Sequence, residues 1–457
     1  LPAGRFGIAA WQFGQGEEGQ MDGPTDESGH VNRVWQYPLF EALYGRRSRR
    51  FGMGFELDEG PFRYKSGQPP LPLDPLEEAL LVAAGMGISG TVLSDLARPG
   101  AMIRGAGRTF GSALSVHRTQ LFLTNDSGVY VMDLQDSAAR RMREVESAGD
   151  RSRIVSQYLR NRRKLKDGRL DIPRRAPPMF AHNYWDNNRP GCTLFMPVCD
   201  VSASLINLTI QMVDGEGGRF AGGTGGGFYV VDDRYDFRPA GTQEWAESGF
   251  LDKKKALPLS VLEREAVYFT FNEAAIACQN MFLATEAMGL GGWMHCGFLS
   301  LEVLEELGFR TVAPKGMQLV RNPVGMDGVF EGYCPPYFPD MDAAVDSIIA
   351  GTRGGLGEFL ERGGQVPHTI SNEQYESGIP DTSPEGEACA KAVCNYIHDT
   401  YGKFPGTVDT MHLMWFMQVH HLDLDFYDRF FKPGAYSQTH RDHLAIWHPD
   451  LRPADPV

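Results

Sequence analysis

From Glu273 to Phe298 the chain carries a long apolar helical pattern that runs into a glycine-rich turn, Gly289-Leu-Gly-Gly-Trp-Met-His-Cys-Gly297. Asn272 stands where an N-cap belongs, apolar side chains fall on nearly every face from Ala274 to Met288, and Gly289 can end the helix in a left-handed conformation. A helix apolar on all sides offers no face to water and must be buried. Gln279 and Glu286 interrupt the run before a membrane span's worth of apolar residues accumulates, so burial means a protein core or a subunit interface. The plainest reading is a central core helix.

Two further segments carry chemistry. Pro38-Leu-Phe-Glu-Ala-Leu-Tyr44 has apolar residues at helical spacing and delivers the cluster Arg46-Arg47-Ser48-Arg49-Arg50. The arginine fork suits a phosphate dianion and a serine hydroxyl adds a neutral hydrogen bond, although a charge run beside a helix also reads as a solvated face. Arg108 to Asp126 reads as a small-residue turn, Gly111-Ser-Ala113, followed by a strand alternating through Leu121 and Leu123. A helix is expected at about Pro75 to Met86.

In this order the pieces resemble the FMN-dependent nitroreductase superfamily. They are an Arg-Arg-Ser-x-Arg helix end, the Pro75–Met86 helix, a Gly-Ser-Ala turn into a strand, and a buried helix ending Gly-Leu-Gly-Gly. The Arg-Thr-x-x-Ser-Ala turn with Gly128-Val-Tyr-Val-Met-Asp133 is most similar to the branch of azoline-oxidising dehydrogenases, and Lys315 to Met326 resembles the late strand of the family. The resemblance implies an α+β fold: a mixed, mostly antiparallel sheet flanked by helices, in a homodimer that holds FMN between subunits. It implies that Arg46, Ser48 and Arg50, with help from Arg47, hold the FMN phosphate and ribityl chain. Ser112 and Ser115 would lie near the flavin, with His117 beside them. The turn Met294-His295-Cys296-Gly297 would lie against the ring, with the Cys296 or Gly297 amide facing N5. Ser115 and His117 stand where many members have Asn and Gln, and the family usually has no cysteine at the turn.

A flavin enzyme of this kind needs a clamp on FMN, a donor at N5 and an open stacking face where reductant and oxidant bind in turn. The expected activity is hydride transfer between flavin N5 and a small aromatic or heterocyclic substrate by ping-pong kinetics, with NAD(P)H as one electron donor. His117, His295 and Cys296 are the candidates for proton transfer, and Cys296 also reads as a small buried hydrophobe. A flavin-binding protein without turnover is one alternative. A metal-dependent enzyme using the histidine-rich tail is the other.

The chain has 457 residues, enough for a large core and more than a minimal domain of this family needs. Its formal net charge of -14 argues against wholesale binding to nucleic acid or an anionic membrane. Seven cysteines without a CxxC pair suit a reducing interior, so the cytoplasm is expected, while a start at Leu1-Pro2-Ala3 leaves a removed leader open.

Residues 1–35 read as an N-terminal arm, 36–330 as the FMN-binding core with a large insertion over about 173–260, and 331–457 as a C-terminal extension. Arg140 to Arg175 is basic with spaced apolar positions and reads as a surface helix. The loop His182-Asn-Tyr-Trp-Asp-Asn-Asn188 offers aromatic and amide groups suited to a planar substrate, or simply packs on itself. Gly215 to Gly227 has no Gly-Lys-Ser/Thr and is expected to be a mobile loop. The tail gathers His412, His420, His421, His440, His443 and His448, with Asp423, Asp425 and Asp428 nearby. His440 with His443 has the one ligand-like spacing, so packing or pocket closure is expected there and no metal ligand is assigned.

Overall fold

The computed structural model describes residues 29–91, 106–113, 117–133, 154–155, 158–214, 226–314, 316, 318–353, 369–371, 373–374 and 381–451. The helices that frame the site are α1 (Leu39–Gly45), α2 (Pro75–Met86), α3 (Val201–Val213), α4 (Leu259–Met288), α5 (Pro384–Tyr401) and α6 (Gln438–Trp447). The large sheet contains β1 (Thr119–Asn125), β2 (Gly128–Met132), β3 (Arg162–Asp167), β4 (Thr193–Asp200), β5 (Gly291–His295), β6 (Met411–His412) and β7 (Phe416–His420). Its order is β5-β7-β4-β1-β2-β3, with β6 beside β4, and every pair in it is antiparallel. The fold class is α+β, and among the described residues no helix is long and apolar enough to cross a membrane.

Both faces of this sheet are buried, and alternation along the strands sorts side chains between them. Leu121, Leu123, Tyr130, Met132, Phe195 and Val419 join α2 and the second half of α4. Phe122, Val129, Val131, Leu194, Met196 and Phe416 join Val303, Leu304 and Phe309 on the other side. The outer strand β3 carries exposed Arg and Lys side chains, which discourage pairing with another edge. Of the surface helix expected from Arg140 to Arg175, residues 154–155 and 158–161 are helical, with Ile154 and Tyr158 buried, and Arg162–Asp167 is this strand. Pairing with β2, from Gly128–Asp167 to Met132–Arg162, makes this segment a strand, and 134–153 and 156–157 lie outside the described residues.

α4 is longer than its apolar run. Pro258 rather than Asn272 precedes it, and Asn272 lies mid-helix. The reason is that its first turns, through Leu259, Leu262 and Ala266, serve a separate core with α3 and α5, so one helix spans two cores. Gly289 closes it at φ 82°, where an added Cβ would meet the Thr439 carbonyl oxygen at 2.4 Å. Residues expected as an insertion and an extension build the sheet itself. β4, from within 173–260, lies between β1 and β7, and β6 and β7 come from beyond residue 331. Sequence continuity cannot reveal this, because antiparallel neighbours need not be neighbours in the chain. Of the expected arm and glycine loop, 1–28 and 215–225 lie outside the described residues, and His30–Gln36 is helical with His30 stacked on Trp447 at 4.7 Å.

Three glutamates on α4 are buried, and each is met by donors from a distant segment. Glu263 accepts from the Gly406 amide at 2.6 Å and from the Thr407 hydroxyl. Glu273 accepts from Thr119 at 2.7 Å, and Ser112 and the His117 and Arg118 amides also turn towards it. Glu286 takes Arg49 at 2.5 Å and the Arg47 amide at 3.2 Å. Burial raises all three carboxyls, and these donors pull them back towards ionisation. Glu286→Ala should lower unfolding stability by about 3–5 kcal/mol, since it strands a buried guanidinium. Adding Arg49→Met should recover part of that loss, and urea unfolding of the single and double variants measures both.

Candidate functional site

The arginine cluster leaves the C-terminus of α1 and crosses the start of β5. Arg49 pairs with Gly292 as an antiparallel bridge, and its buried guanidinium reaches Glu286 and the Ala435 carbonyl. Arg50 points the other way, its guanidinium 3.9 Å from the centre of the Trp293 ring and 5.1 Å from that of Trp185. The two segments singled out from the sequence therefore touch within one chain.

The arginines divide the work unequally. Arg50 donates to Asp186 at 2.6 Å and to Asn183 at 2.9 Å, so a carboxylate of this chain occupies the guanidinium expected on a phosphate. Asp186 is fully buried; its desolvation raises the carboxyl and Arg50 opposes that rise. Arg46 lies over the Phe282 ring at 4.8 Å, Arg47 is exposed and donates to the Tyr44 and Arg46 carbonyls, and Ser48 is exposed. Arg46, Arg47 and Ser48 are thus the members whose side chains no carboxylate of the described residues holds. Arg49, which sequence reasoning passed over, anchors the cluster. Nothing in a run of like residues tells which one turns inward.

The bend after β5 is packed on one face and open on the other. Trp293 and His295 point to the same side, with rings stacked at 4.0 Å and His295 also 5.4 Å from Phe416. Gly297 is buried, and a Cβ there would meet Asn183 at 2.7 Å, Asn187 at 2.9 Å and His295 Nδ1 at 3.0 Å. The loop His182–Asn188 therefore lies against this bend and leaves room only for glycine. On the opposite side Met294 is half-buried and Cys296 is exposed, whereas the other cysteines are buried. Cys296 is thus not the small buried hydrophobe that its apolar neighbours suggested; strand alternation turns its side chain outward.

Of the two amides expected to face a flavin, that of Gly297 donates to His295 Nδ1 at 3.1 Å and is turned inward. The acceptor role of Nδ1 places the ring proton on Nε2, which is buried with no hydrogen-bond partner among the described residues. The Trp293 Nε1 and the Asn187 side-chain amide are in the same condition. Burial, reinforced by Arg50, lowers the His295 pKa to about 3. His295 is consequently neutral near pH 7: it can donate one hydrogen bond but holds no second proton for an acid step.

The third expected element lies elsewhere along α4. Ser112 and His117 are tied to Glu273, with the His117 amide 3.4 Å from Ser112 Oγ and the ring edge-on to Phe110 at 5.3 Å. Glu273 and Glu286 are about 20 Å apart at the ordinary helical rise. The turn thus meets α4 at two levels, its Thr109 carbonyl at Asn280, two residues from the Phe282 ring under Arg46, and its Ser112–His117 end at Glu273, and Ser115 lies outside the described residues.

No protein-family model and no curated protein matches the chain. Among solved structures, a "putative nitroreductase" from Ralstonia eutropha JMP134 aligns over 60% of this chain and 76% of its own, at 15% identity and a TM-score of 0.26. Similarity that low assigns no family, so any function has to be reasoned from the side chains.

An unfolded histidine takes up a proton below about pH 6.5, whereas His295 in the fold does so only near pH 3. Between those values the unfolded state holds the extra proton, so stability falls with falling pH. His295→Phe should make the acid limb shallower by up to about 1.4 kcal/mol per pH unit between roughly pH 6 and 4, as measured by denaturant titrations at stepped pH.

Proposed function

We propose that this protein is an FMN-dependent oxidoreductase that acts on a small aromatic or heterocyclic substrate. The observation that carries the reading is the Arg49–Gly292 bridge, which sets a phosphate-seeking cluster directly beside the Trp293–Gly297 bend. The fit is specific to one face. Arg46, Arg47 and Ser48 are the donors left to hold a phosphate, and the open side of the bend, at Met294 and Cys296, is left for a flat ring. Bound there, FMN would supply a two-electron carrier that exchanges hydride at N5 with donor and acceptor in alternate half-reactions, NAD(P)H being a candidate donor.

The chain's own groups do the positioning. Arg50 fastens Asn183 and Asp186 beneath the bend, so the side packed with His295 excludes water and cannot serve as a second open face. His295 fixes the Gly297 amide and with it the course of the turn. Cys296, as the exposed thiol, is the proton source best placed for the open side, and neutral His295 serves as a structural acceptor.

A homodimer completes the reading. Leu39, Phe40, Leu43 and Tyr44 of α1 are exposed just before the cluster, Phe40 at 70% and Tyr44 at 78%. Such an apolar face beside the site favours a second copy. That copy would also bring its Ser112 and His117, which in one chain are tied to Glu273, to the flavin.

The test is an absorption spectrum and FMN titration of purified protein. Bound flavin bleached by NAD(P)H or by a reduced substrate is expected. Arg46→Ala/Arg47→Ala should weaken FMN binding by about tenfold to a hundredfold, the cost of a charge-assisted contact. Failure of the wild-type protein to take up added FMN in equilibrium dialysis would remove the proposal.

A further inference from the structure

Away from the bend, three imidazoles and one carboxylate converge in the interior. Glu77 Oε1 is 3.2 Å from His421 Nε2, 3.1 Å from His443 Nε2 and 3.1 Å from His448 Nε2, and the His421 and His448 Nε2 atoms are 3.1 Å apart. All four ligand atoms lie within 4.8 Å of one another. Glu77, His421 and His443 are buried, and the His448 side chain is 12% exposed.

The outer contacts decide where the ring protons sit. His421 Nδ1 is 2.9 Å from the Leu71 carbonyl oxygen, and His443 Nδ1 is 2.7 Å from that of Met288. A carbonyl only accepts, so each Nδ1 carries the proton and each neutral ring turns its Nε2 lone pair inward. Glu77 is held in the same way, its Oε2 accepting from the Asp74 amide at 2.8 Å in the capping box of α2. With His421 and His443 so disposed, their inward Nε2 atoms and the Glu77 carboxylate are all acceptors, and His448, whose Nε2 is 3.1 Å from both Glu77 and His421, is the one ring that can donate to them. His443 Nε2 has no hydrogen-bond partner despite lying 3.1 Å from Glu77, so proximity there is not a made bond.

Lone pairs crowded round a carboxylate repel one another unless a cation lies among them. Protonating one imidazole pairs it with Glu77 but leaves the other lone pairs facing the carboxylate. Protonating all three buries excess positive charge. A divalent ion meets every ligand at once. Four ligands about 2.0–2.1 Å from a tetrahedral ion stand roughly 3.3–3.5 Å from one another, close to the 3.1–3.2 Å from Glu77 to each imidazole and between His421 and His448. Backbone carbonyls on the outer nitrogens are also the usual outer support of metal-bound histidine.

We propose that Glu77, His421, His443 and His448 form a tetrahedral site for a divalent transition ion of zinc's preference. Four protein ligands and deep burial leave no position for substrate, so the ion is structural. It joins the start of α2, the end of β7 and the terminal helix α6. Through α6 it braces the arginine cluster, because His440 Nε2 lies 3.8 Å from Glu286, the partner of Arg49. The site is independent of whether FMN binds.

The experiment is elemental analysis of untagged full-length protein, followed by replacement of the native ion with Co2+. One zinc per chain is expected, with the intense visible bands of tetrahedral Co2+ after exchange and a lowered melting temperature after chelation. His448→Ala, at the accessible edge, should weaken Zn2+ binding by more than the roughly 10–100-fold typical of outer-sphere changes. His398→Ala, a part-exposed histidine outside the cluster, should leave it unchanged. A wild-type protein that neither carries nor takes up Zn2+ or Co2+ overturns the site. So does stoichiometric Co2+ whose spectrum is the same in His448→Ala. Glu77→Gln should likewise weaken Zn2+ binding, and should that variant fail to fold, the His448→Ala spectrum decides alone.

Discussion

A carboxylate buried on an apolar helix must be met by donors, and α4 carries three of them, at Glu263, Glu273 and Glu286. Each draws in a segment distant in sequence: the Gly406–Thr407 turn, the Ser112–Thr119 turn and the arginine cluster. The helix therefore both runs through two cores in succession and serves as a row of anchoring points. Hydrophobic burial fixes where α4 lies, and the carboxylates fix which loops come to it. Lost apolar contact is graded with area, but an unmet buried charge is costly at once, so the polar contacts specify the arrangement more sharply.

The same logic explains the division of labour among Arg46, Arg47, Arg49 and Arg50. Two are consumed by carboxylates of the chain, Arg49 by Glu286 and Arg50 by Asp186, and they hold the backbone against β5 and the Asn183–Asn188 loop. Of the other two, Arg46 lies half-buried over the Phe282 ring and Arg47 is exposed beside Ser48. The course of the cluster thus rests on cations that are already neutralised, which fixes its shape without adding to its charge.

Much of the secondary structure was legible in the sequence. The end of α4 at Gly289, the whole of α2 and the strand through Leu121 and Leu123 follow from periodicity and capping. The meeting of the arginine cluster with the Trp293 bend was expected only through family resemblance. The carboxylate among the tail histidines was sought close in sequence, at Asp423, Asp425 or Asp428. Asp423 instead caps the helix that follows it and Asp428 holds Tyr436, while the carboxylate that reaches the histidines is Glu77, in the first turn of α2. Local roles claim nearby carboxylates, and a distant one arrives only when the chain is packed.

The sequence by itself determined that Pro75–Met86 and the run up to Gly289 are helical, that the stretch through Leu121 and Leu123 is a strand, that α4 must be buried, and that arginines gather before Phe51. These depend on residues a few positions apart, where spacing alone sets which side chains share a face. Only the tertiary structure decided that β4, β6 and β7 complete one sheet, that Cys296 faces outward, that Arg49 is the buried member of its cluster, and that three histidines converge on Glu77. Those outcomes depend on strand order and on the direction of single side chains. Both are settled by long-range packing and by the need to pair every buried charge, and neither leaves a periodic mark in the chain.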